Sequence, residues 1–205
     1  MRTNYLLVDM ENIQLQHLPL VAGGPFKVKL FLGSQQTKVG LQLARELHAL
    51  GPEAVEYISI EGNGRNALDF HIAFYIGRLA SADPGAFFHI ISKDTGFDPL
   101  IRHLKAAKIL CQRSASIDVI PLVKLMNSRS LAARADATVE ILNARKAGRP
   151  KSVKTLTASI GRLFGGRLSE TEVASIIQEL AKRGFVLMDG NKLSYPAAES
   201  HSPVD

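Results

Sequence analysis

The stretch IISKDTGFDPLI, residues 90–101, places two acids close behind a short apolar run. The run, FFHIIS at 87–92, predicts a strand buried on both faces, and Asp94 and Asp98 follow where a helix should begin. Two explanations are open for each acid. The carboxylate can cap the helix, with Pro99 tolerated in the first turn, or it can be a metal ligand.

The segments on either side of this stretch alternate between strand and helix patterns. Strands that alternate with helices predict a three-layer α/β/α fold with a mainly parallel sheet. The other predicted strands are 5–8, 26–32 and 55–60, with weaker candidates at 109–111 and 117–120. The predicted helices are 37–50, 67–82, 98 to about 107, and 130–147.

Two further acids belong to the same predicted edge of the sheet. Asp9 directly follows the first strand, and Asp69 lies in the first turn of the helix 67–82, on its apolar face. In open α/β sheets the ligand crevice lies beyond the carboxyl ends of the strands, so Asp9 and Asp94 share it if their strands are neighbours. Asp69 could instead complete a capping arrangement with Asn66. Clustered carboxylates, however, repel each other unless a cation such as Mg²⁺ or Mn²⁺ neutralises them.

Composition points to a globular protein with a polyanionic partner. The chain carries a formal charge of +6, and 46% of its residues are hydrophobic. Residues 144–205 hold 10 Lys and Arg against 6 Asp and Glu, whereas residues 1–143 hold 15 against 13. No apolar run approaches the roughly 20 residues of a membrane span, and the start of the chain does not resemble a signal peptide. With one cysteine, Cys111, we expect a cytoplasmic protein without a disulfide or membrane contact.

The carboxyl-terminal part differs from the rest of the chain in composition and in its pattern of predicted elements. A basic stretch rich in small residues is followed by two helical patterns, the second with a Ser169–Glu172 capping box, and then by a hairpin pattern. This order is typical of a winged helix. The expected units are an α/β domain over 1–143, a basic linker over 144–154, a winged-helix-like domain over 155–196 and a disordered tail over 197–205.

Three short motifs resemble the PIN-like nuclease superfamily, particularly its NYN branch. They are DMEN at 9–12, NALDFHIA at 66–73 and SKDTGFDPL at 92–100, and the resemblance covers about residues 4–125. It implies a metal-dependent nuclease, an endoribonuclease with RNA as the more usual substrate, using Mg²⁺ or Mn²⁺. By the same resemblance the metal-binding acids are Asp9, Asp69 and Asp94, and Asn12 orients the first of them or the substrate.

The chain departs from the family pattern at one position. Gly96 stands where the family often has a further acid, and Asp98, one helical turn from Asp94, is the candidate replacement. Four basic residues are placed to hold the phosphate backbone: Arg65, Lys93, Arg102 and Lys105.

Two other functions remain open at this point. Gly96 favours a catalytically weak or inactive PIN-like protein that binds nucleic acid or regulates, with a homodimer or a protein partner formed through the carboxyl-terminal domain. GNGRNA at 62–67 matches a dinucleotide-binding pattern, but it is not in the first strand–helix unit, as that function requires.

Overall fold

The computed structural model describes residues 2–61, 64, 66–144 and 148–196. Clustering of contacts divides the chain into two compact units, residues 1–124 and 125–205. The first unit contains a five-stranded parallel sheet flanked by helices, which confirms the predicted α/β class. Its strands are β1 (Asn4–Asp9), β2 (Phe26–Leu32), β3 (Val55–Ser59), β4 (Phe87–Ile91) and β5 (Leu110–Ser114).

The strand order is β3-β2-β1-β4-β5. The chain builds outward from β1 on one side and then crosses to the other side, so the topological switch lies at the β1–β4 pair. These two strands are parallel neighbours, with Val8 opposite Ile91. The helices are α1 (Leu41–Leu50), α2 (Ala67–Ala82), α3 (Asp98–Ala106) and α4 (Pro121–Asn127), with 3₁₀ turns at Leu18–Val21 and Thr95–Phe97.

The core explains why β1 is an uninterrupted buried strand. All six of its residues are buried, because side chains pointing to either face of the sheet meet a covering layer. On one face Leu7 joins a cluster with Phe31, Ile72 of α2 and Ile101 of α3. Leu6, on the other face, is 0% exposed as well.

In its described residues after α4, the second unit contains three helices and a small hairpin. They are α5 (Leu131–Ala144), α6 (Val153–Leu163), α7 (Glu170–Lys182), β6 (Leu187–Asp189) and β7 (Lys192–Ser194). A bridge between Ser152 and Lys192 adds the chain just before α6 to the hairpin. The predicted capping box is present, since Ser169 Oγ accepts a bond from the Glu172 backbone N–H and the Glu172 carboxylate accepts one from the Ser169 backbone N–H.

Two sequence predictions differ from the structure. The strand expected at 117–120 is wrong: these residues form a bend and turn in which Ile117 and Ile120 are 0% exposed. Apolar spacing indicates burial there, and burial does not require a strand. The helix predicted from residue 37 begins only at Leu41. Within the second unit, α5 packs against α7.

Several expectations concern residues outside the described ranges. They are Arg65, part of the basic linker (145–147) and the whole tail (197–205). Among the helices that the structure does describe, none is long and apolar enough to cross a membrane.

Candidate active site

The carboxyl ends of β1 and β4 form a crevice at the topological switch. Asp9 is the last residue of β1, and Ser92 directly follows β4. Their strands are hydrogen-bonded neighbours, so both side chains reach the same point, as open α/β sheets require of a ligand site. From the sequence, Asp9 and Asp94 are expected to share a crevice only if their strands are neighbours, and β1 and β4 are neighbours.

Asp9 is a fully buried carboxylate whose hydrogen-bonding capacity is filled. Its Oδ1 accepts bonds from the backbone N–H groups of Glu11 and Asn12, both at 3.2 Å. Its Oδ2 accepts from Asn12 Nδ2 at 2.7 Å and from Ser92 Oγ at 2.7 Å. Four bonds match the roughly four acceptor sites of a carboxylate, so the buried charge is satisfied without a basic partner.

Asp94 is joined to the same network through one hydroxyl. Ser92 Oγ, which donates to Asp9, also accepts a bond from the Asp94 backbone N–H at 3.0 Å. Asp94 then caps the following 3₁₀ turn, its Oδ1 accepting from Gly96 N at 2.7 Å. Asp94 is therefore an N-cap, but capping uses only Oδ1. Its Oδ2 accepts no hydrogen bond from the described residues.

Asp69 shows that the acids share one electrostatic environment. The carboxyl is partly buried at the start of α2, and this burial raises its pKa above the usual value. The negative charges of Asp9, Asp94 and Glu11 raise the pKa further. Asn66, the N-cap residue, makes no side-chain capping bond, so the capping arrangement considered for Asp69 is not formed.

Glu11 is a member of this group that the sequence reasoning did not single out. Its Oε1 lies over the end of β2, where a Cβ added to Gly33 would come within 1.7 Å of it. A glycine at that position is therefore what leaves room for the carboxylate. The signal available in the sequence was its place inside the DMEN motif, but an acid in a loop usually reads as a solvated charge.

Gln36 connects the two loops that carry these groups. Its Oε1 accepts a bond from Gly33 N at 3.1 Å, and its Nε2 donates to the carbonyl oxygen of Met10. Gln36 thereby fastens the loop after β2 to the loop after β1. Its role is to position the Asp9–Asn12 segment.

Of the basic residues proposed for substrate binding, Lys93 follows β4 at this edge, whereas Lys105 lies in the last turn of α3. Asp98 forms a two-bond ion pair with Arg113 of β5, at 2.9 and 3.3 Å. The hydrogen bond from Arg113 lowers the pKa of Asp98 below its usual value, and the charge of Arg102 lowers it further. Asp98 is therefore paired with an arginine, and it is not among the acids whose charges raise the pKa of Asp69. Lys93, Arg102 and Lys105 are exposed.

The acids fit a hard divalent cation in chemistry and charge. Carboxylate oxygens are the ligands that Mg²⁺ and Mn²⁺ prefer, and mutual repulsion here leaves a negative charge for a cation to offset. In the described ranges, however, no three side chains of His, Cys, Asp or Glu converge into a finished ligand set. Binding a cation therefore requires rotation of Asp69, Asp94 and Glu11, all of which retain some exposure.

Other reactive groups do not compete for the catalytic role. Burial raises the pKa of the Cys111 thiol to about 12, so it is a core residue and not a nucleophile. His71 is held by the Ala67 carbonyl at 2.7 Å, within its own helix.

Comparison with known proteins agrees with this geometry. No curated protein and no solved structure matches the chain. The family model of the PIN domain matches residues 3–114, which span the whole sheet and all the acids described above. The match covers more than half of the chain, and the chain therefore belongs to the PIN domain family.

Proposed function

We propose that the chain is a metal-dependent nuclease that hydrolyses phosphodiester bonds in RNA. PIN domains are generally metal-dependent nucleases. The observation that carries the proposal is the set of acids at the carboxyl ends of the adjacent strands β1 and β4, where Ser92 joins Asp9 to Asp94. Burial and the charges of Asp9, Asp94 and Glu11 also raise the pKa of Asp69. Acids that destabilise one another in the free protein are suited to bind a cation, since its charge removes the repulsion.

Each acid has a distinct part in this proposal. Asp69, Asp94 and Glu11 would hold the ion, because none of them is locked by a full set of hydrogen bonds. Asp9, held by Asn12 and Ser92, would add its charge and shape the floor of the site. A bound Mg²⁺ or Mn²⁺ would neutralise charge on the phosphate and lower the pKa of the attacking water.

Glu11 also offers an answer to the departure at Gly96. A Cβ at residue 96 would lie 3.1 Å from Asp94 Oδ1, so an acid there would stand beside Asp94. In this chain we assign that fourth carboxylate to Glu11, on the β2 side of the crevice. Asp98 would then serve to hold Arg113 near the phosphate path. Lys93, Arg102 and Lys105 are the proposed contacts to the RNA backbone, and Arg65 stays a candidate from sequence.

For the second unit we propose a winged-helix-like domain. The supporting observation is its order of elements: α5, the bridged segment at Ser152, α6, α7 and the β6–β7 hairpin. The first turn of α7 carries Glu170 and Glu172, which repel phosphate, so we propose a protein partner or a second copy of the chain for that helix.

A second candidate function is binding of nucleic acid without cleavage. The observation that favours it is that Asp9 is saturated and Asp94 caps a turn, so these carboxylates are stable without a cation. Cleavage of labelled single-stranded and structured RNA, with Mg²⁺, Mn²⁺ or EDTA, separates the two functions.

The decisive variants are Asp69→Asn and Asp94→Asn, with Asp83→Asn as the matched control at the other end of α2. Metal-dependent cutting that both site variants lose, and the control keeps, supports the nuclease. Cutting that is equal in wild type and all three variants, or absent from wild type with each ion, supports the binding function.

A further inference from the structure

A cleft of about 490 Å³ opens beside the acidic site, between the loop after β1 and the amino end of α1. None of the acids described above lines it. Its wall includes Met10, the residue that follows Asp9. Since consecutive Cα atoms are about 3.8 Å apart, the cleft begins within one residue of Asp9.

The lining combines apolar side chains with groups that form directional hydrogen bonds. Ile13 and Leu15 from the loop after β1 line the cleft together with Val39 and Leu43. The amides of Gln14, Gln16 and Gln42 also line it, and each can donate and accept. A planar heterocycle with mixed donors and acceptors on its edge is the kind of group that such a cleft accommodates, and the volume is in the range of small-ligand sites.

Charge in the cleft favours an anionic ligand at one end. Lys38 lines it, and its ammonium group forms no ion pair with any of the described residues. Glu46, the lining acid, accepts a hydrogen bond from Gln42 Nε2 at 2.7 Å, which partly offsets its charge and orients the amide. His17, also in the lining, is 3.9 Å from Asp118.

We propose that this cleft holds one nucleotide of the RNA strand, next to the phosphate that is cut. The base lies between the apolar walls with its edge on the glutamine amides, and Lys38 contacts the adjoining phosphate. This inference rests on the proposed nuclease function, because it makes the cleft a substrate subsite. The bond from Gln36 to the Met10 carbonyl holds Met10, which both lines the cleft and directly follows Asp9, so a bound nucleotide would be aligned with the acidic site.

The test measures binding without cleavage. The full-length protein in EDTA is titrated with labelled single-stranded RNA, 5′-UMP, 5′-AMP and inorganic phosphate. Val39→Trp fills the cleft from a partly buried coil position, and Leu41→Trp adds the same ring at an exposed position outside it. Lys38→Ala removes the proposed phosphate contact, and Lys27→Ala removes an equal charge at the opposite end of the sheet.

We expect Val39→Trp to weaken RNA and mononucleotide binding at least tenfold and Leu41→Trp to leave both unchanged. Lys38→Ala should lower the slope of log K against log salt by about 0.7, the value for one phosphate contact to a single strand, and Lys27→Ala should not. Thermal unfolding of each variant checks that it is folded, and Lys38→Ala tests the cleft even if Val39→Trp does not fold.

Two results would overturn the inference. The first is RNA and mononucleotide binding by folded Val39→Trp and Lys38→Ala equal to wild type. The second is phosphate binding as tight as 5′-UMP binding, which would indicate an anion site without base recognition. If RNA cleavage is absent while the cleft variants still lose binding, the nuclease proposal fails and the subsite stands. If cleavage occurs with an unchanged KM in these variants, only the subsite fails.

Discussion

Ser92 Oγ lies 2.7 Å from Asp9 Oδ2 and 3.0 Å from the Asp94 backbone nitrogen, so one hydroxyl joins the acid that ends β1 to the acid that follows β4. Ser92→Ala would remove one of four bonds to a buried carboxylate and leave the Asp94 amide without its acceptor. We expect a loss of about 1–3 kcal/mol in the free energy of unfolding.

Hydrogen exchange of the β1 and β4 amides measures this loss in the first unit alone. Ser81→Ala, at an exposed position on α2, is the control and should change stability by no more than about 0.5 kcal/mol. Equal protection in Ser92→Ala and wild type would show that the hydroxyl does not stabilise the site.

Gly33→Ala tests the placement of Glu11. The added methyl group would occupy the space of Glu11 Oε1, and a flexible side chain can move aside more easily than backbone. We expect a folded protein with Glu11 displaced and Mn²⁺ affinity lowered by about tenfold. Calorimetric titration with Mn²⁺ measures this, and Gly77→Ala, with nothing within 4 Å of the added carbon, is the control. Unchanged affinity would show that the position of Glu11 beside Gly33 is not needed for ion binding.

His89 should make the first unit sensitive to acid. Its Nε2 donates to Asn4 Oδ1 at 3.0 Å and its Nδ1 accepts from Gln112 Nε2 at 3.1 Å, an arrangement that the neutral ring satisfies. Burial lowers the pKa of His89 from 6.5 to about 4. The unfolded chain therefore binds the proton first, and stability that is complete above pH 6.5 falls as the pH drops to about 4. The total loss is on the order of 3 kcal/mol.

Urea unfolding between pH 8 and 4, followed by methyl NMR signals of the first unit, measures this dependence. We expect His89→Gln to flatten the curve between pH 6.5 and 4, and the exposed His103→Gln to leave it unchanged. A wild-type curve that is level over this range would contradict a neutral, buried His89.

Glu172 should make the stability of the second unit depend on pH in a more acidic range. Hydrogen bonds from the Ser169 backbone and from Arg134, each at 2.8 Å, lower the pKa of Glu172 to about 2. The stabilisation is present above pH 4.5, the ordinary value, and is lost as the pH falls toward 2. We expect Glu172→Gln to fray the start of α7 at neutral pH, with Glu170→Gln as a milder control. Amide exchange in the first turn of α7 measures both.

The sheet could be predicted from sequence because each buried strand leaves its own local signal. β1 and β4 are continuous apolar runs, and the acids stand directly behind them. The turn that contains Ile117 has the same apolar character without strand pairing, since burial alone produces that pattern. The packing of α5 against α7 could not be predicted either, because the sequence pattern of a helix does not show which other element it packs against.

The acidic site was predictable only where its geometry is local. Asp9 and Asp94 follow from the ends of strands, and Asn12 is three residues from its bond partner. The position of Glu11 depends on Gly33, which directly follows β2, and that of Asp98 depends on an arginine of β5. Such contacts join residues that are distant in sequence, and no spacing rule indicates them.

The bond from Ser92 to Asp9 also sets an order of events during synthesis. It spans 83 residues, and at 5–20 residues per second the hydroxyl leaves the ribosome roughly 4–17 s after the carboxylate. Until then β1 can pair only with β2, and its other edge stays exposed to unwanted strand addition. A nascent chain therefore acquires its acidic crevice only when β4 pairs with β1, and the exposed edge of β1 is covered at the same moment.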